Sequence, residues 1–146
     1  MYRFSKNLAK ETTTSKTTGL TNVSNRFIGI CQHSAGDLQP IFSALVAVSR
    51  GGSIEEQVWR SRFGYLDELS KFGLSYSREG NKVRIFKSDI HPACASATDL
   101  RGGASAVLLA LAADGESEIS SGELILRGYD SFVEKLKNIG ADISYQ

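Results

Sequence analysis

One segment of this 146-residue chain occurs twice, and that repetition constrains the fold more than any other feature. Asp37-Leu38 opens a segment that continues to Ser43-Ala44-Leu45-Val46, and Asp99-Leu100 opens another that continues to Ser105-Ala106-Val107-Leu108 with the same internal spacing. Downstream, Arg62 precedes a helix-like stretch ending Leu69-x-x-Phe72-Gly73, and Arg127 precedes one ending Leu136-x-x-Ile139-Gly140. The offset grows from 62 residues at the aspartates to 67 at the closing glycines, so a few residues separate two copies of one unit. Each unit reads helix, strand, helix, strand, strand.

In the first copy Leu38, Ile41, Phe42, Leu45 and Val46 recur at helical spacing and predict one buried face. Asp37 is expected at the N-cap, with Pro40 in the first turn, where a missing N–H costs little. Gly51-Gly52 is expected to stop this helix, and Ser53–Trp59 to form a short strand. Leu66, Leu69 and Phe72 stripe a second helix that Gly73 ends. Leu74–Arg78 and Lys82–Lys87 then read as a hairpin across Gly80-Asn81. In the second copy Val107, Leu108 and Leu111 mark the first helix and Glu118–Leu126 a strand. Phe132, Val133, Leu136 and Ile139 are the expected buried face of the second helix. The hairpin would begin at Ala141-Asp142-Ile143, and the sequence ends at Gln146, so the second copy lacks its final strand.

Composition narrows the function classes. Seventeen basic and sixteen acidic residues give a net charge of +1, so there is no electrostatic case for nucleic acid or a membrane surface. No apolar run approaches the roughly 20 residues of a membrane span. Two cysteines, Cys31 and Cys94, are too few for a disulfide framework and point to a reducing cytoplasm. Residues 1–26 carry Glu11 as their one acidic residue among many Ser, Thr and Lys. They read as a disordered leader, with an organellar transit peptide as the alternative. Residues 27–146 form the folded part, with repeat units at about 27–90 and 91–146.

Two arginines stand where apolar helices begin: Arg101 in Ala97-Thr98-Asp99-Leu100-Arg101-Gly102-Gly103-Ala104-Ser105, and Arg127 in Arg127-Gly128-Tyr129. A guanidinium fork beside outward-pointing N–H groups suits a carboxylate or phosphate. An arginine in a first turn also opposes the helix macrodipole, which calls for an offsetting anion. These motifs, with the stretch from Arg127 through Ile143, closely resemble the C-terminal end of the UDP-N-acetylglucosamine enolpyruvyl (1-carboxyvinyl) transferases. The resemblance runs from about Phe27 to Ile143. It implies an α/β fold of repeated βαβαββ units with helices inside and sheets outside, an inside-out α/β barrel. This chain would hold about two of the three units of one domain. In that family the last unit is completed by a strand from the enzyme's own N-terminus.

The resemblance also implies the chemistry. A hydroxyl of the UDP-sugar loses a proton and attacks the central carbon of phosphoenolpyruvate, whose methylene gains one, and phosphate then leaves. No metal or redox cofactor takes part. Asp37 matches the aspartate proposed as base, although Gly36 replaces the family's threonine, and a helix cap is its bland alternative. Val58 matches a position whose backbone contacts the UDP-sugar, with a core strand residue as the alternative. Asp99 and Arg101 match the active-site Asp-Leu-Arg. Arg127 matches an arginine that binds phosphoenolpyruvate, and Arg62 is its counterpart in the preceding unit. Leu126 stands where the family has an acidic residue. The loop bearing the family's cysteine acid has no counterpart here, and Lys6-Asn7 only faintly echoes its N-terminal Lys-Asn pair.

Cys31-x-His33 and His91-x-x-Cys94 have zinc-type ligands, but the spacing is unusual and small buried cysteines are common, so no metal is assigned. The chain is thus expected to be a C-terminal piece of a peptidoglycan-precursor transferase, inactive alone, with UDP-N-acetylglucosamine and phosphoenolpyruvate as family substrates. The alternative is a non-catalytic interaction module, or one chain of a split enzyme with a complementary domain or a second copy as partner.

Overall fold

The computed structural model describes residues 1–5, 31–32, 37–58 and 62–145. In chain order these form β1 (Tyr2–Ser5), β2 (Cys31–Gln32), α1 (Gln39–Val48), β3 (Gly51–Glu55), α2 (Tyr65–Ser70), β4 (Tyr76–Glu79) and β5 (Lys82–Phe86). There follow β6 (Cys94–Ser96), α3 (Leu100–Ala112), β7 (Glu116–Ser120), α4 (Glu123–Leu126), α5 (Phe132–Asn138) and β8 (Asp142–Tyr145). The described strands make two four-stranded sheets, ordered β2-β3-β5-β4 and β6-β7-β1-β8.

The two sheets repeat one another. In each, a short strand pairs parallel with the strand after the first helix: β2 with β3, and β6 with β7. That strand then pairs antiparallel with a third, and the third with a fourth: β3-β5-β4 and β7-β1-β8. The fold is α/β, built from repeated βαβαββ units. β1 occupies in the second sheet the place that β5 occupies in the first. The missing final strand is therefore supplied by residues 2–5, and the expected leader is corrected at its start. Residues 6–30, including Lys6-Asn7, lie outside the described residues.

Arg3 explains part of the register of β1. Its Nε lies 2.7 Å from Glu116 Oε1 and its Nη2 2.9 Å from Glu118 Oε1, both on the adjoining β7. At the far side Phe4 pairs with Ile143, whose side chain is buried.

The helices pack between the units. α1 and α3 lie against one another, and α2 and α4 both pack on α3. The buried face of α1 comprises Gln39, Pro40, Ser43, Ala44, Val46 and Ala47. Leu38, Leu45 and, in the second unit, Leu108 are each more than 40% exposed, which corrects the expected stripe. Both helices are apolar nearly all round, so hydrophobic spacing does not single out a face. Small side chains do, because they let the helix axes approach closely. Glycine enforces the same closeness in α3: a Cβ on Gly103 would lie 2.7 Å from Ala97 Cβ and from Ile125 Cγ1. The core is one hydrophobic cluster running through both units, with Leu66, Leu69, Phe72 and Val83 from the first and Val107, Leu109 and Ile119 from the second.

Other local expectations need correcting. Gly51 and Gly52 do not stop α1 from outside a strand but begin β3, with Gly51 at φ +79°. β3 ends at Glu55 rather than Trp59, and Trp59 itself lies outside the described residues. β7 ends at Ser120, where its ladder with β6 ends; Ser121 turns left-handed and Gly122 leads into the single turn α4. The expected strand through Leu126 is thereby cut short. α5 buries none of its residues fully. Phe132, Val133 and Leu136 pack partly against the core, while Ile139 is 79% exposed. Gly73 and Gly140, at φ +91° and +95°, follow α2 and α5 as expected of helix-ending glycines. The hairpin of β4 and β5 turns through Gly80, also as expected.

Candidate functional site

The cluster begins at Asp99. Its extended backbone leaves the N-terminal N–H groups of α3 open, and its Oδ1 accepts from Arg101 N–H and Gly102 N–H, both at 2.8 Å. This is a full N-cap. Its other oxygen faces the first unit: Arg62 Nη2 lies 3.6 Å from Asp99 Oδ2. Arg62 Nη1 meets Asp37 Oδ1 at 3.1 Å. One arginine from the first unit therefore spans the opening aspartates of both units.

Asp37 does not cap α1. The cap position is Leu38, in helical conformation, whose carbonyl accepts from Phe42 N–H at 3.0 Å. Helical backbone at Leu38 removes the open N–H geometry that a capping carboxylate needs, and the Asp37 side chain turns to Arg62 instead. The two aspartates, equivalent in the repeat, thus differ: Asp99 both caps and pairs, while Asp37 only pairs and is more than half exposed.

Arg101, the second residue of α3, brings its guanidinium to Tyr129. Nη1 donates to Tyr129 Oη, and the guanidinium carbon lies 5.1 Å from the ring centroid. The hydrogen bond to Tyr129 raises the Arg101 pKa above its ordinary value; partial burial opposes this, and the negative charges of Asp37 and Asp99 add to it. Asp37 and Asp99 act on Arg101 only through their field, since neither forms an ion pair with it among the described residues.

The structure brings Asp37, Arg62, Asp99 and Arg101 together. It does not bring Val58 or Arg127 into direct contact with them. Val58 is 66% exposed, which corrects the alternative of a core strand residue, and its N–H already donates to Glu56 Oε1 at 2.8 Å. Arg127 follows α4 rather than starting α5, which begins five residues later. It is exposed and makes no ion pair among the described residues, though it stands two residues from Tyr129. Sequence reasoning missed Tyr129, although the Arg-Gly-Tyr motif contained it. It also missed Tyr65, whose hydroxyl lies 2.9 Å from Ser43 Oγ beneath the cluster. Burial pushes the Tyr65 phenol well above its ordinary range and keeps it neutral.

Among the described residues no group of three or more His, Cys, Asp or Glu is arranged to hold a metal. Cys94 is an exposed free thiol 3.8 Å from Glu118 Oε2, and the His91 ring lies against the backbone of Gly73. His33 lies outside the described residues. Nor is any described helix long and apolar enough to cross a membrane.

Two guanidinium groups and two carboxylates in one cluster balance in charge. Such a site can accept a hydrogen bond from a hydroxyl at Asp37 and present guanidinium donors to a carboxylate or phosphate.

UDP-N-acetylglucosamine 1-carboxyvinyltransferase 2 of Clostridium acetobutylicum is 44% identical over 109 residues, and the enzyme of Finegoldia magna 40% identical over 109. Each alignment covers 73% of this chain and 26% of the relative, so the chain spans about a quarter of the length of the curated relatives it matches. Among solved structures, the enolpyruvyl transferase NikO from Streptomyces tendae superimposes with a TM-score of 0.70 at 34% identity, over 75% of this chain and 26% of that one. The EPSP synthase (3-phosphoshikimate 1-carboxyvinyltransferase) family model matches residues 11–136. With the repeated unit, the paired sheets and this match over most of its length, the chain belongs to the EPSP synthase family of enolpyruvyl transferases.

Proposed function

We propose that this chain forms one wall of the substrate site of a UDP-N-acetylglucosamine 1-carboxyvinyltransferase, serving peptidoglycan-precursor synthesis in the cytoplasm. The carrying observation is the Asp37–Arg62–Asp99 bridge between the repeat units, with Arg101 beside it. In this reading Asp37, the exposed carboxylate, accepts the proton of the sugar hydroxyl. Arg101 and Arg127 hold the carboxylate and phosphate of phosphoenolpyruvate, and Arg62 keeps Asp37 and Asp99 in place. Val58 lends backbone to the UDP-sugar at the edge of the site.

Catalysis by these groups needs a second wall held at sub-ångström tolerance. The chain alone is therefore expected to release no phosphate from phosphoenolpyruvate with UDP-N-acetylglucosamine present. Binding should survive weakly. With water on the open side, the affinity for phosphoenolpyruvate is expected at about millimolar. Amide shifts near Asp99 and Gly128 during a phosphoenolpyruvate titration report it. Shifts absent from the wild type, or equally large in an Arg101→Ala, Arg127→Ala double variant, would reduce these arginines to surface charge. Phosphate release by the chain alone, abolished by Arg127→Ala, would overturn the need for a second wall.

A second reading, a binding module or one chain of a two-part enzyme, is favoured by the second sheet. β1 closes that sheet within this chain, so each unit has its full set of four strands. Turnover restored by adding a complementary fragment would support the two-part form.

A further inference from the structure

The Arg127-Gly128-Tyr129 motif meets the ion cluster through its tyrosine, not its arginine. Three contacts fix that tyrosine. Its hydroxyl accepts from Arg101 Nη1. Its ring lies 5.3 Å from the Phe132 ring at the start of α5, and both rings pack against the core. The backbone just before it sits tightly on α3, since a Cβ on Gly128 would come within 2.6 Å of Leu100 Cδ2. The turn after α4 is thus strapped onto the first turn of α3, and Tyr129 is the point at which the strap touches a charge.

The two cations of the cluster have different partners. Arg62 is committed to carboxylates, Asp37 at 3.1 Å and Asp99 at 3.6 Å. Arg101 makes no ion pair within 4.0 Å among the described residues; its hydrogen bond goes to a neutral hydroxyl. A hydroxyl orients a guanidinium without cancelling its charge, whereas a carboxylate does both. An arginine at a helix start otherwise retains the rotamer entropy of a long side chain, which an incoming anion would have to remove.

We propose that Tyr129 is a positioning residue that holds the Arg101 guanidinium in place with a neutral acceptor and so keeps its charge for an incoming carboxylate or phosphate. This rests on the anion-binding role given to Arg101 above.

The test uses the full chain, phosphoenolpyruvate as probe, and Tyr129→Phe, which keeps the ring and removes the hydroxyl. Two readouts are taken: the dissociation constant from amide shifts, and the Arg101 guanidinium resonances of the free protein. In the wild type those resonances should be split by restricted rotation and in Tyr129→Phe averaged, with phosphoenolpyruvate binding weaker by about tenfold for one lost charged hydrogen bond. Arg101→Ala should lose binding altogether. An unchanged dissociation constant in Tyr129→Phe, with Arg101→Ala still abolishing binding, would overturn the inference. Should the wild type bind no phosphoenolpyruvate, the proposed function falls. The guanidinium resonances then decide the positioning role alone: equal rotation in both proteins overturns it, and faster rotation in Tyr129→Phe sustains it.

Discussion

Glu68 ties the two repeat units together through a single carboxylate. Lys71 Nζ donates to both its oxygens, at 2.8 and 2.7 Å, and Ser96 N–H on β6 donates to Oε2 at 2.7 Å. Burial pushes the carboxyl pKa upward, but the hydrogen bonds from Lys71 and Ser96 outweigh it and leave the group below its ordinary value. A depressed folded-state value means the stabilisation is fully present above the unfolded glutamate range and is lost as pH falls through the lower folded value. Glu68→Gln should therefore destabilise the protein by on the order of 1 kcal/mol at neutral pH and flatten its acid-induced loss of melting temperature. Thermal melts of both proteins between neutral and acid pH check this, and parallel curves would refute it. Nothing at position 68 marks this role in the sequence, because its partner on β6 is an unremarkable backbone N–H 28 residues away. Asp37, Arg62 and Asp99 stand at equivalent places of the repeat and Arg101 in the Asp-Leu-Arg of the resemblance, so each can be named from the sequence, but their pairing cannot. Tyr129 was passed over for its arginine neighbour, because a motif does not say which of its members turns inward.

At the scale of the element, α3 shows why helix periodicity alone misplaced a face. Gly102 and Gly103 open the helix where an intrinsic preference of about 1 kcal/mol per residue would favour alanine. Contact opposes that preference: a Cβ on Gly102 would lie 2.7 Å from Thr98 Oγ1 and 2.9 Å from Tyr65 Cβ, and one on Gly103 is as close to Ala97 and Ile125. Gly103→Ala is expected to lower stability by about 1–3 kcal/mol through overpacking, despite the gain in propensity. Gly64→Ala, just before α2 with open space around it, should change stability little or raise it. Urea unfolding midpoints compare the two; a higher midpoint for Gly103→Ala would show that α3 can shift away from α4. The same close packing explains the exposure of Leu38, Leu45 and Leu108, since the inward face is taken by residues small enough to let α1 and α3 meet.

For the whole molecule the decisive contact is the longest in sequence, β1 between β7 and β8. Removing residues 1–5 should leave β8 unpaired and β7 held by β6 alone. Amide exchange at Ser117, Ile119, Asp142 and Ser144 is then expected to accelerate strongly, while β3, β4 and β5 keep their protection. Arg3→Glu, which sets three carboxylates side by side with Glu116 and Glu118, should weaken the same sheet more mildly. Unchanged exchange in both variants would remove β1 from the fold. Local spacing and backbone preference were enough for the repeated unit, the α/β class, the helix-ending Gly73 and Gly140 and the first hairpin. Long-range packing settled which helix faces turn inward, that Asp99 caps while Asp37 pairs, that Arg62 joins both aspartates, and that residues 2–5 finish the second sheet. Those outcomes depend on which surfaces approach closely and on pairings across more than a hundred residues, and local pattern carries no record of either.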